Sequence, residues 1–83
     1  MSYKILPTKE FEKDFRKLGD KKARQAIKDK IEEVSKDPSR YKRLHYDLKG
    51  SFRIRIGHFR VVYSIDEGKK EMYLEKIILG HKY

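Results

Sequence analysis

The sequence predicts an α+β domain: an N-terminal strand, a hairpin of two helices, then a three-stranded antiparallel meander, with both helices on one face of a small, mostly antiparallel sheet. Three observations carry this. From Phe52 to Ile65 apolar residues recur at every second position, the period of half-buried strands. From Phe11 to Val34 they recur instead at helical spacing. Gly57-His58 and Asp66-Glu67-Gly68-Lys69-Lys70 supply the turns that join the last three strands.

Tyr3 to Leu6 is a short apolar strand ended by Pro7, which lacks the amide that a central ladder would need. Thr8 reads as an N-cap with Glu10 in the first turn, and Phe11, Phe15 and Leu18 fall on one helical face before Gly19. Asp20 caps a second helix whose stripe is Ala23, Ala26, Ile27, Ile31 and Val34, stopped by Lys36-Asp37-Pro38. Residues 39–49 have no clean period and read as a loop. Phe52, Ile54 and Ile56, then Phe59, Val61, Tyr63 and Ile65, give two strands of a hairpin with Arg53, Arg55 and Arg60 on the opposite face. Glu71 to Leu79 is the last strand. Simple alternation puts Met72, Leu74 and Ile78 on one side of it and Tyr73, Ile77 and Leu79 on the other, as for a strand inside a sheet.

Eighty-three residues make one domain, 1–83, with room for one thin core. Charged residues reach 42 %, yet the apolar 37 % is strongly periodic, which argues for a folded chain. The formal net charge of +9 points to nucleic acid, an acidic protein or an anionic membrane surface. That charge is local. Between Pro38 and Tyr63 seven basic residues face a single acid, Asp47, whereas the remainder is nearly balanced. No apolar run is long enough to span a membrane and the N-terminus has acids where a signal peptide needs an apolar segment, so the chain reads as cytoplasmic with no membrane partner. Without cysteine, and with only His45, His58 and His81, neither a metal nor a cofactor is expected.

Clustered like charges on neighbouring strands repel, so an anionic ligand is expected for the three arginines, and a phosphate backbone is the obvious one. The competing reading has Arg60 paired with Glu71 or Glu75, and Arg53 and Arg55 as a solvated strand face that discourages edge pairing.

The order of elements, the segment LKGSFRIRIGHFRVVYSI and the ending LGHKY resemble the RelE/ParE superfamily of toxins from prokaryotic toxin–antitoxin modules, most closely its RelE-type branch. The resemblance implies a ribosome-dependent endoribonuclease, an mRNA interferase that cuts mRNA in the decoding site and arrests translation. It implies a cognate RelB-like antitoxin with an acidic or amphipathic segment, a heterotetramer being one assembly open to the pair. Arg60 matches the family's phosphate-stabilising strand arginine, Arg53 and Arg55 its alternating basic positions, and His81 and Lys82 its late basic pair. The cleavage that the resemblance implies needs, without a metal, a base for the 2′-hydroxyl, cations for the pentacoordinate phosphate and an acid for the leaving oxygen. Arginine suits the second task alone. Under this resemblance Arg60, Arg53 and Arg55 are assigned charge stabilisation, His81 proton transfer with Lys82 and Tyr83 as alternates, and Lys49, with Lys42 and Arg43 of the basic loop, substrate holding. Many members continue into a short helix bearing a catalytic tyrosine, whereas this sequence ends at Tyr83. The alternatives are a ParE-type inhibitor of DNA gyrase and a non-catalytic basic RNA-binding relative.

Overall fold

The computed structural model describes residues 2–38 and 51–79. Within them run β1 (Lys4–Pro7), α1 (Lys9–Lys17), α2 (Lys21–Val34), β2 (Phe52–Ile56), β3 (Phe59–Asp66) and β4 (Glu71–Leu79). The sheet order is β1-β4-β3-β2, with β1 parallel to β4 and the other neighbours antiparallel. The α+β architecture expected from the sequence is the one observed. Pro7 ends the outermost strand, where its missing N–H costs no ladder bond.

Both helices begin where their capping residues dictate. Thr8 Oγ1 accepts from the Phe11 N–H at 3.2 Å, and Asp20 Oδ1 from the Lys22 N–H at 2.9 Å, each satisfying an amide that has no partner within its helix. α1 then ends at Leu18, whose N–H bonds the Phe15 carbonyl at 3.1 Å, one residue before the predicted stop at Gly19. Phe11 from α1 and Ile27, Ile31 and Val34 from α2 meet Phe52, Ile54, Val61, Tyr63, Met72 and Leu74 of the sheet in one core. Ala26, at the margin of the predicted α2 stripe, is exposed. Tyr63 is fully buried. Its ring stacks on Phe52 with centroids 5.1 Å apart, and its hydroxyl donates to the Pro38 carbonyl at 2.8 Å, so a large apolar body is buried without orphaning its polar tip.

Thr8 also ties helix to sheet, because its hydroxyl bridges the carbonyls of Leu74 (2.8 Å) and Glu75 (3.1 Å). Thr8→Ala removes both this bridge and the cap. It is expected to destabilise the protein by about 1–2 kcal/mol in urea denaturation. Asp20→Ala, which loses only an exposed cap, should cost about half as much.

The β2–β3 turn is Gly57-His58, with Gly57 at φ +59°. A positive φ at the first of two central positions is what a type II′ hairpin turn requires, and only glycine adopts it without steric cost. The tight turn fixes the register: Arg55 faces Arg60, and Arg53 faces Val62.

β4 departs from the predicted alternation. Val62 pairs with Lys76 but the next residue, Tyr63, pairs with Leu74, so Glu75 is an extra residue on β4. This bulge reverses which side each later residue faces. Met72, Leu74 and Ile77 all join the core face, with Leu79 on the same side at its exposed margin, while Tyr73, Lys76 and Ile78 face outward. Both faces stay partly apolar, as the sequence suggested, but the bulge exchanges Ile77 and Leu79 for Ile78 on the core side. Asp14 of α1 stabilises the irregularity by accepting from the Ile77 N–H at 3.0 Å. Among the described residues, no helix is long and apolar enough to cross a membrane.

Candidate nucleic-acid interface

Among the described residues both helices lie on one face of the sheet and none on the other, where Val62 is nonetheless buried. On that second face the cross-strand register arranges side chains in rows. One row is Arg53, Val62 and Lys76; the next, nearer the β2–β3 turn, is Arg55, Arg60 and Ile78. Directly opposed residues in an antiparallel pair have Cβ atoms about 4.5–5.5 Å apart, so the Arg55 and Arg60 side chains leave the sheet as neighbours. Arg53 and Arg55 on outer β2 are exposed, whereas Arg60 on inner β3 is partly buried. The three arginines predicted to share a face do share it.

Lys76 is a fourth member, and the sequence reading missed it. Counting by twos from Met72 and Leu74 places Lys76 on the core side, and only the extra residue at Glu75 turns it to the arginine side. A signal was present: apolar residues at 72, 74, 77 and 79 break period two once, at the point where the bulge falls.

The carboxylates that might have neutralised this face are engaged elsewhere. Glu75 Oε2 accepts from the Ser64 hydroxyl at 2.7 Å, Glu71 Oε1 accepts from the Tyr73 hydroxyl, and Asp66 Oδ1 accepts from the Lys69 N–H at 3.1 Å. Among the described residues no carboxylate lies within ion-pair distance of Arg53, Arg55 or Arg60. The pairing of Arg60 with Glu71 or Glu75 does not occur. That face carries Arg53, Arg55, Arg60 and Lys76 toward the β2–β3 turn and Glu75, Asp66 and Glu71 toward the β3–β4 turn, where Lys4 of β1 stands in register with Glu71. Tyr73 belongs to the β3–β4 end, where its hydrogen bond to Glu71 raises its phenol above the usual value. It therefore stays protonated at neutral pH and is poorly suited to act as a base.

Unpaired guanidiniums on a rigid sheet can do one kind of chemistry well. They offer planar, permanently charged forks to phosphate oxygens, with little reorganisation on binding. His58 sits exposed in the turn beside them, where the sequence reading had it as a turn residue. Lys42, Arg43, Lys49, His81, Lys82 and Tyr83 lie outside the described residues. Among the described residues no cluster of three or more His, Asp or Glu side chains is placed to hold a metal ion.

Comparison with known proteins points in one direction. Residues 5–78 match the model of a family described as the ParE toxin of the type II toxin-antitoxin system parDE. None of the curated protein sequences matches. Among solved structures, the fold is similar to that in the RelBE2 toxin–antitoxin complex of Mycobacterium tuberculosis, with a TM-score of 0.79 and 22 % identity over 95 % of this chain and 92 % of that one. It is similar to the isolated Escherichia coli RelE toxin, with a TM-score of 0.80 and 20 % identity over 99 % and 88 % of the two chains. The archaeal RelE–RelB complex from Pyrococcus horikoshii matches over the full length of both chains, with a TM-score of 0.80 and 19 % identity.

Proposed function

The chain belongs to the RelE/ParE superfamily of type II toxins, and from that premise we propose that it is a ribosome-dependent endoribonuclease that cleaves mRNA in the decoding site. The observation that carries this reading is the arginine face: Arg53, Arg55 and Arg60 share one side of the sheet and lack carboxylate partners among the described residues. A toxin acting through protein contacts alone has no need to hold three mutually repelling guanidiniums together.

In the proposed reaction the 2′-hydroxyl loses its proton and its oxygen attacks the adjacent phosphorus. The bond to the 5′ oxygen then breaks, and that oxygen takes up a proton. Arg60, the most buried of the three, meets the negative charge that accumulates on the equatorial oxygens, with Arg55 opposite it and Arg53 one row away. Lys76 extends the cationic strip toward the flanking phosphate. His81 follows Ile78, the last member of the Arg55–Arg60 row, by three positions in sequence. It is assigned the proton transfers, with Lys82 and Tyr83 as alternates, because only imidazole titrates near neutral pH when unperturbed. Lys42, Arg43 and Lys49 are assigned to holding substrate. Orientation of the attacking hydroxyl is assigned to the ribosome and mRNA, since the sequence offers no recognisable base-and-acid pair.

The decisive experiment is primer extension on mRNA with purified protein, with and without ribosomes. Cuts that require ribosomes support the proposal. The family model carries the ParE name, so a supercoiling assay with DNA gyrase belongs beside it: gyrase inhibition with no mRNA cut would replace the present reading. Lys76→Ala is expected to lower the salt dependence of RNA binding by about 0.7 to 0.9 in log–log slope, the value of one lost phosphate contact. An unchanged slope would remove Lys76 from the strip. The partner assigned to the protein is an antitoxin, supported by the RelB-bound state of several structural neighbours. Its inhibitory segment should be acidic or amphipathic, to cover a basic face.

A further inference from the structure

On the helix side of the sheet, away from the arginine rows, α1, α2 and the outer strand β1 enclose an open groove of about 450 Å³. Its floor is apolar. Ile5 of β1, Phe11 and Phe15 of α1, Ile31 of α2 and Leu74 of β4 line it. Phe11 and Phe15 stand one helical turn apart, so their rings stack with centroids separated by 5.9 Å and planes 20° from parallel.

The rim has the opposite character to the rest of the molecule. Glu12 on α1 and Asp29 and Glu32 on α2 stand round the floor against one cation, Lys28, and all four are exposed. Asp29 Oδ1 accepts from the Gln25 amide at 2.9 Å. Among the described residues none of the three carboxylates takes part in an ion pair, although the chain has a net charge of +9 and cations in excess. Lys28 shows what the groove accepts. Its ammonium lies 6.0 Å from the centre of the Phe15 ring, at the distance where the negative face of an aromatic ring attracts a cation.

We propose that this groove binds a small organic cation with an apolar body, an arylalkylamine being the simplest case, independently of the RNA reading of the opposite face. The apolar body lies on Phe11, Phe15 and Leu74, and the ammonium meets Glu12 and Glu32. A volume near 450 Å³ with an apolar floor and a few charged groups is the usual composition of a small-molecule site. The net charge of the chain opposes any cation, but at physiological salt exposed charges are screened beyond about 8 Å, so the rim carboxylates decide the sign. An anion of the same shape meets them as like charges and is rejected. A polyamine satisfies the rim and leaves the floor wet. An extended peptide fits poorly as well, because its amides and carbonyls need partners that an apolar floor lacks, and the Gln25 amide is already given to Asp29.

The test titrates the full chain with four probes: 4-phenylbutylamine, 4-phenylbutanol, 4-phenylbutyrate and spermidine. Binding is followed by NMR through the methyl groups of Ile5, Ile31 and Leu74. The amine is expected to saturate these shifts with a Kd of about 0.1–1 mM, ordinary for about a dozen heavy atoms. The carboxylate should bind at least ~5-fold more weakly, and spermidine should leave the three methyls unmoved. Glu12→Gln combined with Glu32→Gln changes two exposed side chains without altering their size, and should weaken the amine about 3-fold or more while leaving the alcohol as it was. Carboxylate and amine binding equally, or no saturation by about 10 mM amine, would overturn the proposal. So would an antitoxin that shifts the three methyls while the amine does not, which would assign the groove to a protein segment. Should the protein never cut mRNA while the amine binds as expected, the nuclease reading falls and this site stands.

Discussion

Arg60→Ala is expected to slow ribosome-dependent mRNA cleavage by about 10² to 10³-fold, the usual cost of removing one donor aimed at a developing oxyanion. Arg60 should be the most sensitive of the three arginines. It stands on inner β3, partly buried between neighbours on both sides, so its guanidinium is oriented before substrate arrives, while Arg53 and Arg55 project from outer β2 into solvent. Arg60→Lys keeps the charge but loses the planar fork, and should recover only part of the rate. The same substitution makes an opposite prediction for stability. Removing one of two directly opposed cations relieves repulsion with Arg55, so Arg60→Ala should leave the unfolding free energy unchanged or raise it by about 0.2–1 kcal/mol. Lost cleavage with retained or increased stability is the signature of a group held for function. Equal cleavage by Arg60→Ala and wild type would leave the nuclease proposal without its central residue, and a large drop in stability would mean that Arg60 is structural.

The arginine face was legible because β2 and the first part of β3 obey period two without interruption. Phe52, Ile54 and Ile56 against Phe59, Val61 and Tyr63 define the buried side, and Gly57-His58 locks the pairing, so Arg53, Arg55 and Arg60 follow by alternation. The helical hairpin was legible for a similar reason, since Thr8 and Asp20 make their caps through bonds only two or three residues long. Lys76 was not legible by alternation. Its side of the sheet depends on a bulge opposite the Val62–Tyr63 step, set by pairing with residues more than ten positions away and held by Asp14 from α1. The parallel pairing of β1 with β4 is likewise a non-local outcome: nothing in Lys4–Pro7 alone selects Glu71–Leu74 as its partner. The proposed proton-transfer residues, His81, Lys82 and Tyr83, rest on sequence and resemblance.

Deleting Glu75 should leave the two faces of β4 as they are. Without the extra residue Lys76 follows Leu74 directly, so strict alternation from Met72 and Leu74 keeps Lys76 on the arginine face and Ile77 and Leu79 on the core side, and the ladder with β3 becomes regular. The cost is confined to local bonds: the Ser64 hydroxyl loses Glu75 Oε2 and the Thr8 hydroxyl loses the Glu75 carbonyl, at about 1–3 kcal/mol together. For a domain this small, where 1 kcal/mol shifts Tm by about 4–8 °C, the deletion should lower Tm by about 4–20 °C. Glu75→Ala is the control. It keeps the bulge and loses only the bond from Ser64, at about 1 kcal/mol, with a Tm within about 8 °C of wild type. Thermal melts of the two variants, followed by circular dichroism, separate backbone length from side chain, and the salt slope of RNA binding by the deletion variant should match wild type because Lys76 keeps its side of the sheet. A deletion variant that fails to fold would mean that the bulge itself, and not the alternation on either side of it, fits β4 to its neighbours.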